Sequence, residues 1–98
     1  MYRQGDILLV PVPEESAPAA SPPEPRDARG RLVLAYGEAT GHAHAIAGPG
    51  TLSQGFLHLP EGGRLVHEEH AAITLPKGWY RVVRQREYVP GSFQMVAD

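Results

Sequence analysis

A chain of 98 residues and 10.6 kDa is one small domain's worth of protein, which excludes a Rossmann unit with a partner domain, a TIM barrel or a kinase. Hydrophobic residues at 42% and charged residues at 20% supply a modest core and exclude a wholly disordered chain. A formal net charge of −2 gives no general attraction to phosphate, so nucleic-acid binding would need a local basic strip.

Eleven glycines and ten prolines argue against a helical bundle and for a mostly β chain, whose active unit is compact or homo-oligomeric. With no cysteine there is neither a disulfide framework nor a thiolate metal site, and a transition metal would have to be held by His, Asp and Glu. The chain opens on polar residues through Gly5 and Asp6. The apolar run 7–12 that follows is β-prone, and Pro11 inside it marks an edge strand or a strand end. That run is too short and too interrupted for a signal-peptide core or a membrane span, so a cytoplasmic protein with no membrane partner is expected. Residues 13–30 carry Pro, Ala, Ser and charges with almost nothing to bury, and read as a long mobile or polyproline-like loop at a hairpin tip.

Residues 32–36 form a second strand, a glycine-bounded turn follows at 37–41, and an extended pattern resumes at 42–46. Short runs come next at 51–52, 56–59, 64–67 and 73–75, separated by Gly- and Pro-containing turns. A long run at 79–89 completes about seven short strands, the pattern of an all-β barrel or sandwich in one domain spanning 1–98.

Four of the five histidines fall into two pairs, His42 with His44 and His67 with His70. On a strand, residues i and i+2 point to the same face, so His42 and His44 aim two imidazoles at one point about 6–7 Å apart along the backbone. His67 and His70 share a face only if the chain turns there. In a strand, His67 would instead share its face with Glu69. Imidazole and carboxylate without sulfur suit zinc, manganese, iron or nickel, and three protein ligands with an open position make a catalytic site. The carboxylates nearest in sequence, Glu38, Glu68 and Glu69, are available as ligands, orienting groups or general bases, with Glu38 and Glu69 the expected catalytic pair. His58 alternates with Phe56, Leu57 and Leu59 and reads as a surface or hydrogen-bonded residue.

A basic strip closes the chain. Arg81, Arg84 and Arg86 are interleaved with Trp79, Tyr80 and Tyr88, and cations beside flat rings can hold phosphate and stack a base. On a strand, Tyr80, Arg84, Arg86 and Tyr88 fall on one face and Trp79 and Arg81 on the other, which divides the cations. No phosphate-cradling glycine loop, nucleophile elbow or cysteine nucleophile is present.

The zinc-peptidase pattern H-E-x-x-H fails on spacing, because Ala71 stands where its second His would be. Gly37 and Gly41 before His42 and His44 resemble the first cupin motif. The resemblance covers about a dozen residues, no carboxylate follows at the family's offset, and Arg81 occupies the place of its third His after the Pro76, Lys77 and Gly78 turn. It implies a β-barrel histidine site and no transferable set of ligands. More broadly, Gln4, Gly5 and Asp6, then GEATGHAHAI from Gly37, LVHEEH from Leu65 and LPKGWYRVVRQREY from Leu75 resemble a family of short uncharacterised proteins encoded by bacteria and their phages. That resemblance supports the segments and implies no activity.

The resulting expectation is a metal-binding β protein with His42, His44, His67 and His70 as ligands, acting as a hydrolase on an anionic, phosphoester or nucleic-acid substrate bound by Tyr80, Arg81, Arg84, Arg86 and Tyr88. Two alternatives accompany it: a non-enzymatic module binding nucleic acid or protein through the carboxyl-terminal strand, and a metal-free ribonuclease with two histidines as acid and base.

Overall fold

The computed structural model describes residues 1–18, 22–37 and 41–85. Among the described residues nine strands run β1 (Tyr2–Gln4), β2 (Ile7–Val12), β3 (Leu32–Tyr36), β4 (Ala43–Ile46), β5 (Thr51–Ser53), β6 (Phe56–Leu59), β7 (Gly63–Val66), β8 (Ile73–Leu75) and β9 (Gly78–Arg84). They form a five-stranded sheet in the order β1-β2-β9-β6-β5 and a four-stranded sheet in the order β3-β4-β7-β8, with every ladder antiparallel. The sheets do not close on each other, so of the two expected architectures the chain adopts the sandwich. Among the described residues, no helix is long and apolar enough to cross a membrane.

Alternation builds this arrangement. In β6 the order Phe56, Leu57, His58, Leu59 puts both leucines inside at 0% exposure and leaves Phe56 and His58 half-buried outside. Ile7 and Leu9 of β2, Leu57 and Leu59 of β6 and Tyr80 of β9 face Leu32, Ile46, Leu65 and Leu75 from the other sheet, and together with Leu52 they form the core. Tyr80 meets the ring of Tyr2 edge-on at 6.0 Å and donates from its hydroxyl to Pro76 O at 2.5 Å, which satisfies its one polar atom inside the core.

Two hairpins turn on two residues each. Gln4 pairs with Ile7 around Gly5 and Asp6, and the φ of +60° at Gly5 is the conformation a tight turn of this hand asks of its first central residue. The β1-β2 hairpin that results was hidden in the sequence by its polar residues. Pro11 pairs with Tyr80 on one side and lies past Leu9, the last residue of β2 that β1 reaches, so its missing N–H leaves no gap in a ladder.

The described parts of the Pro-rich loop are fastened to the sandwich. Glu24 N donates to Leu52 O at 2.7 Å, Ser53 Oγ donates to Pro22 O at 3.1 Å, and the Arg26 guanidinium donates to the carbonyls of Gly30, Gly48 and Gly50. Asp27 accepts from the backbone of Arg29 and Arg31 and pairs with the Arg31 guanidinium at 2.9 Å, closing the turn that leads into β3.

Leu57 lies on an inner strand of the five-stranded sheet, between Leu52 and Tyr80, and is fully buried. Leu57→Ala is therefore expected to destabilise the fold by about 2–5 kcal/mol, measured as a lowered midpoint in urea or thermal unfolding.

Candidate metal centre

One face of β4 changes character along its length. Ile46 is in the core at 0% exposure, His44 two residues earlier is at 3%, and His42 two residues before that is half-exposed. The facing strand makes the same change, from buried Leu65 to His67, and the register Ile46↔Leu65 brings the two histidine-bearing ends together. The backbone then bends through 68–70 before β8 instead of making the helical turn considered from the sequence, and this bend returns His70 to the same place. Ring centroids lie at 4.4 Å for His44–His67, 4.7 Å for His67–His70, 5.5 Å for His42–His67 and 5.9 Å for His44–His70.

These four imidazoles line a cleft of about 410 Å³ together with Asp6, Gly37, Glu69 and Arg84. Two glycines let the rings approach. A Cβ on Gly5 would stand 2.9 Å from His70 Nε2 and 3.2 Å from His44 Cε1, and one on Gly37 would stand 2.9 Å from His42 Cβ and 3.3 Å from His67 Nε2.

His44 is held by a residue of the opposite sheet. The Gln4 side-chain amide donates to Leu65 O at 3.1 Å and to Ala71 O at 2.9 Å, which fixes its oxygen as the acceptor for His44 Nδ1 at 2.9 Å. The proton of neutral His44 therefore sits on Nδ1, and the Nε2 lone pair is directed at the cleft, 3.6 Å from Asp6 Oδ1. Burial first, and then the neighbouring His67, hold the pKa of His44 below its ordinary 6.5, so the ring is a neutral donor at pH 7. Asp6 is in turn oriented by Arg84, whose Nε donates to Oδ2 at 3.2 Å and whose terminal nitrogen donates to Tyr36 O at 3.2 Å.

On the other side of the cleft, His42, His67 and Glu68 each bring one ligand atom within 4.8 Å of the others, a group that could hold a metal ion. Glu68 Oε1 accepts from Ala43 N at 2.9 Å, and this bond, followed by one from its own N–H, holds the carboxyl below its ordinary 4.5 and keeps it ionised. His67 Nδ1 accepts from Glu69 N at 3.0 Å. Ligation by His67 gives up that bond, worth about 1 kcal/mol, which is small beside a metal–imidazole bond. Glu69 Oε2 stands 3.6 Å from His42 Nδ1 at the mouth of the cleft.

The substrate-binding strip expected at the carboxyl end does not assemble as one surface. Tyr80 is 2% exposed and packed in the core, so it is closed to a ligand. Arg81 lies over the Phe56 ring at 5.8 Å on the outer face, beside His58 stacked on Trp79 at 4.1 Å, whereas Arg84 faces the cleft. Glu38, Arg86 and Tyr88 lie outside the described residues. Sequence reasoning missed Gln4 and Asp6. The signal for both was a Gly-led two-residue turn running directly into the first apolar strand.

Two outcomes test this geometry. In metal-free protein, long-range 15N–1H spectra are expected to show His44 as the Nδ1–H tautomer, and Gln4→Ala is expected to lose that preference and weaken metal binding about 10–100-fold. As the pH falls through 6.5 the unfolded chain takes up a proton on His44 before the folded chain does. Stability of the metal-free protein is thus expected to fall as the pH drops through that value, with a shallower slope of urea midpoint against pH in His44→Leu.

No curated protein and no solved structure matches the chain. A family model described as a domain of unknown function, DUF8820, matches residues 3–85, which takes in every strand from β2 to β9 and all four clustered histidines. The chain belongs to the DUF8820 family.

Proposed function

We propose that the cleft binds a divalent transition metal and that the metal-loaded protein is a hydrolase of an anionic, phosphoester-type substrate. The observation that carries this reading is the convergence of His42, His44, His67 and His70 from two separate segments onto one cleft that also receives the oriented carboxylate of Asp6, with the Glu68 carboxylate beside His42 and His67. Four neutral-capable imidazoles and hard carboxylates suit zinc, manganese, iron or nickel.

His42, His67 and Glu68 form the primary ligand group, and the open mouth leaves room for water and substrate. A metal held by three protein ligands lowers the pKa of a bound water to about 7 and supplies a nucleophile at neutral pH. Glu69, exposed beside His42, takes the proton. A substrate anion is drawn by the ion itself, with Arg84 at the edge of the cleft adding positive charge.

The alternative of a nucleic-acid-binding strand has weaker support, because Tyr80 is buried and Arg81 and Arg84 lie on opposite faces of β9. The metal-free histidine reaction is separated by a chelator. Elemental mass spectrometry of the untagged protein is expected to find bound metal, reduced in His42→Ala. Hydrolysis of a nitrophenyl phosphodiester is expected to require metal and to stop in chelator. Metal-free protein that takes up none of the four ions would overturn the reading, and cleavage that persists in chelator would replace it with histidine acid–base catalysis.

A further inference from the structure

We propose that the cleft holds two divalent cations side by side, the second lying between His44 Nε2 and Asp6 Oδ1 with His70 as its further ligand. This rests on the metal reading above and adds the number of ions. The group of His42, His67 and Glu68 uses neither His44, nor His70, nor Asp6, and these three remain as further donors lining the same cleft.

His44 carries the argument. It is 3% exposed, its Nδ1 proton is committed to Gln4, and its Nε2 points into the cleft with no hydrogen-bond donor facing it among the described residues. What faces it is a carboxylate oxygen, itself an acceptor, 3.6 Å away. Two lone pairs opposed in this way repel unless a cation lies between them. Two donors each about 2.1 Å from one ion span a separation of this size.

The supporting groups are fixed in the same sense. Arg84 takes Asp6 Oδ2 at 3.2 Å and leaves Oδ1 turned toward His44. The ring of His70 lies 5.9 Å from that of His44 by centroid, and the bare Cα of Gly5 leaves room for both imidazoles. His67 lies between the two groups, 5.5 Å from His42 and 4.4 Å from His44 by ring centroid, so the two positions are neighbours on the scale of paired-metal centres, where ions sit about 3.5–4 Å apart.

The test is metal stoichiometry on the full chain, loaded with manganese or zinc alone and freed of excess, for wild type, His42→Ala and Asp6→Ala, with Asp6→Asn as the milder variant and circular dichroism to verify folding. Two ions per chain in wild type, one in each variant, and a magnetically coupled manganese pair seen by electron paramagnetic resonance only in wild type are the expected results. One ion in wild type, whether untouched by the Asp6 substitutions or lost in both variants, overturns the second site and leaves the metal reading standing. No ion at all overturns both.

Discussion

The cleft depends on one buried amide. Gln4 belongs to the five-stranded sheet, yet all three of its side-chain hydrogen bonds reach the other side of the sandwich, to Leu65 O, Ala71 O and His44 Nδ1. Among the described residues, Gln4 and His44 are the buried polar ones in an otherwise apolar interior. A buried amide left unpaired is costly, about 1–3 kcal/mol, so satisfying it sets the position of one sheet relative to the other at this end of the molecule. Two of these bonds hold the chain on either side of the bend that carries His67 to His70, and the third determines which nitrogen of His44 looks into the cleft.

Around that node, core and site form a continuous seam. β4 passes from Ile46 to His44 to His42 on one face, and β7 passes from Leu65 to His67, so the packing that excludes water from the leucines also sets the spacing of the imidazoles. His44 is thus carried on a paired strand, His42 and His67 stand at the ends of the strand pair, and the supports, the Ala43 N–H on Glu68 and the Arg84 guanidinium on Asp6, come from strands. A site built in this way needs little reorganisation to take up an ion.

Period-two alternation made much of this legible in the sequence. The shared face of His42 and His44, the division of Arg81 from Arg84 and the all-β class all follow from residue order alone. Convergence of the second histidine pair was not legible, because it depends on the register Ile46↔Leu65 and on a non-helical bend, and both are set by tertiary pairing. Alternation likewise did not say which face of β9 points inward, so Tyr80 read as a ligand contact when the core had claimed it. Gln4 and Asp6 were hidden for a different reason. Gln4 ends a polar strand three residues long that only its pairing with β2 makes a strand, and Asp6 lies in the turn that follows. The split into nine strands where about seven were expected has the same origin, in pieces too short to carry a pattern of their own.

The connectivity also orders events during synthesis. β2 pairs with β9, joining Ile7 to Arg84 and Val12 to Trp79, so the first long strand to leave the ribosome waits for the last before its inner edge is covered. β4 and β7 can pair earlier, since a much shorter stretch of chain separates them. The histidines of the four-stranded sheet can therefore gather first, while Gln4 and Asp6 arrive only when the amino-terminal hairpin docks at the end of folding. A nascent chain truncated before β9 would carry all four clustered imidazoles and still lack the partner strand that seats the amide and the carboxylate, so the complete set of polar groups belongs to the finished protein.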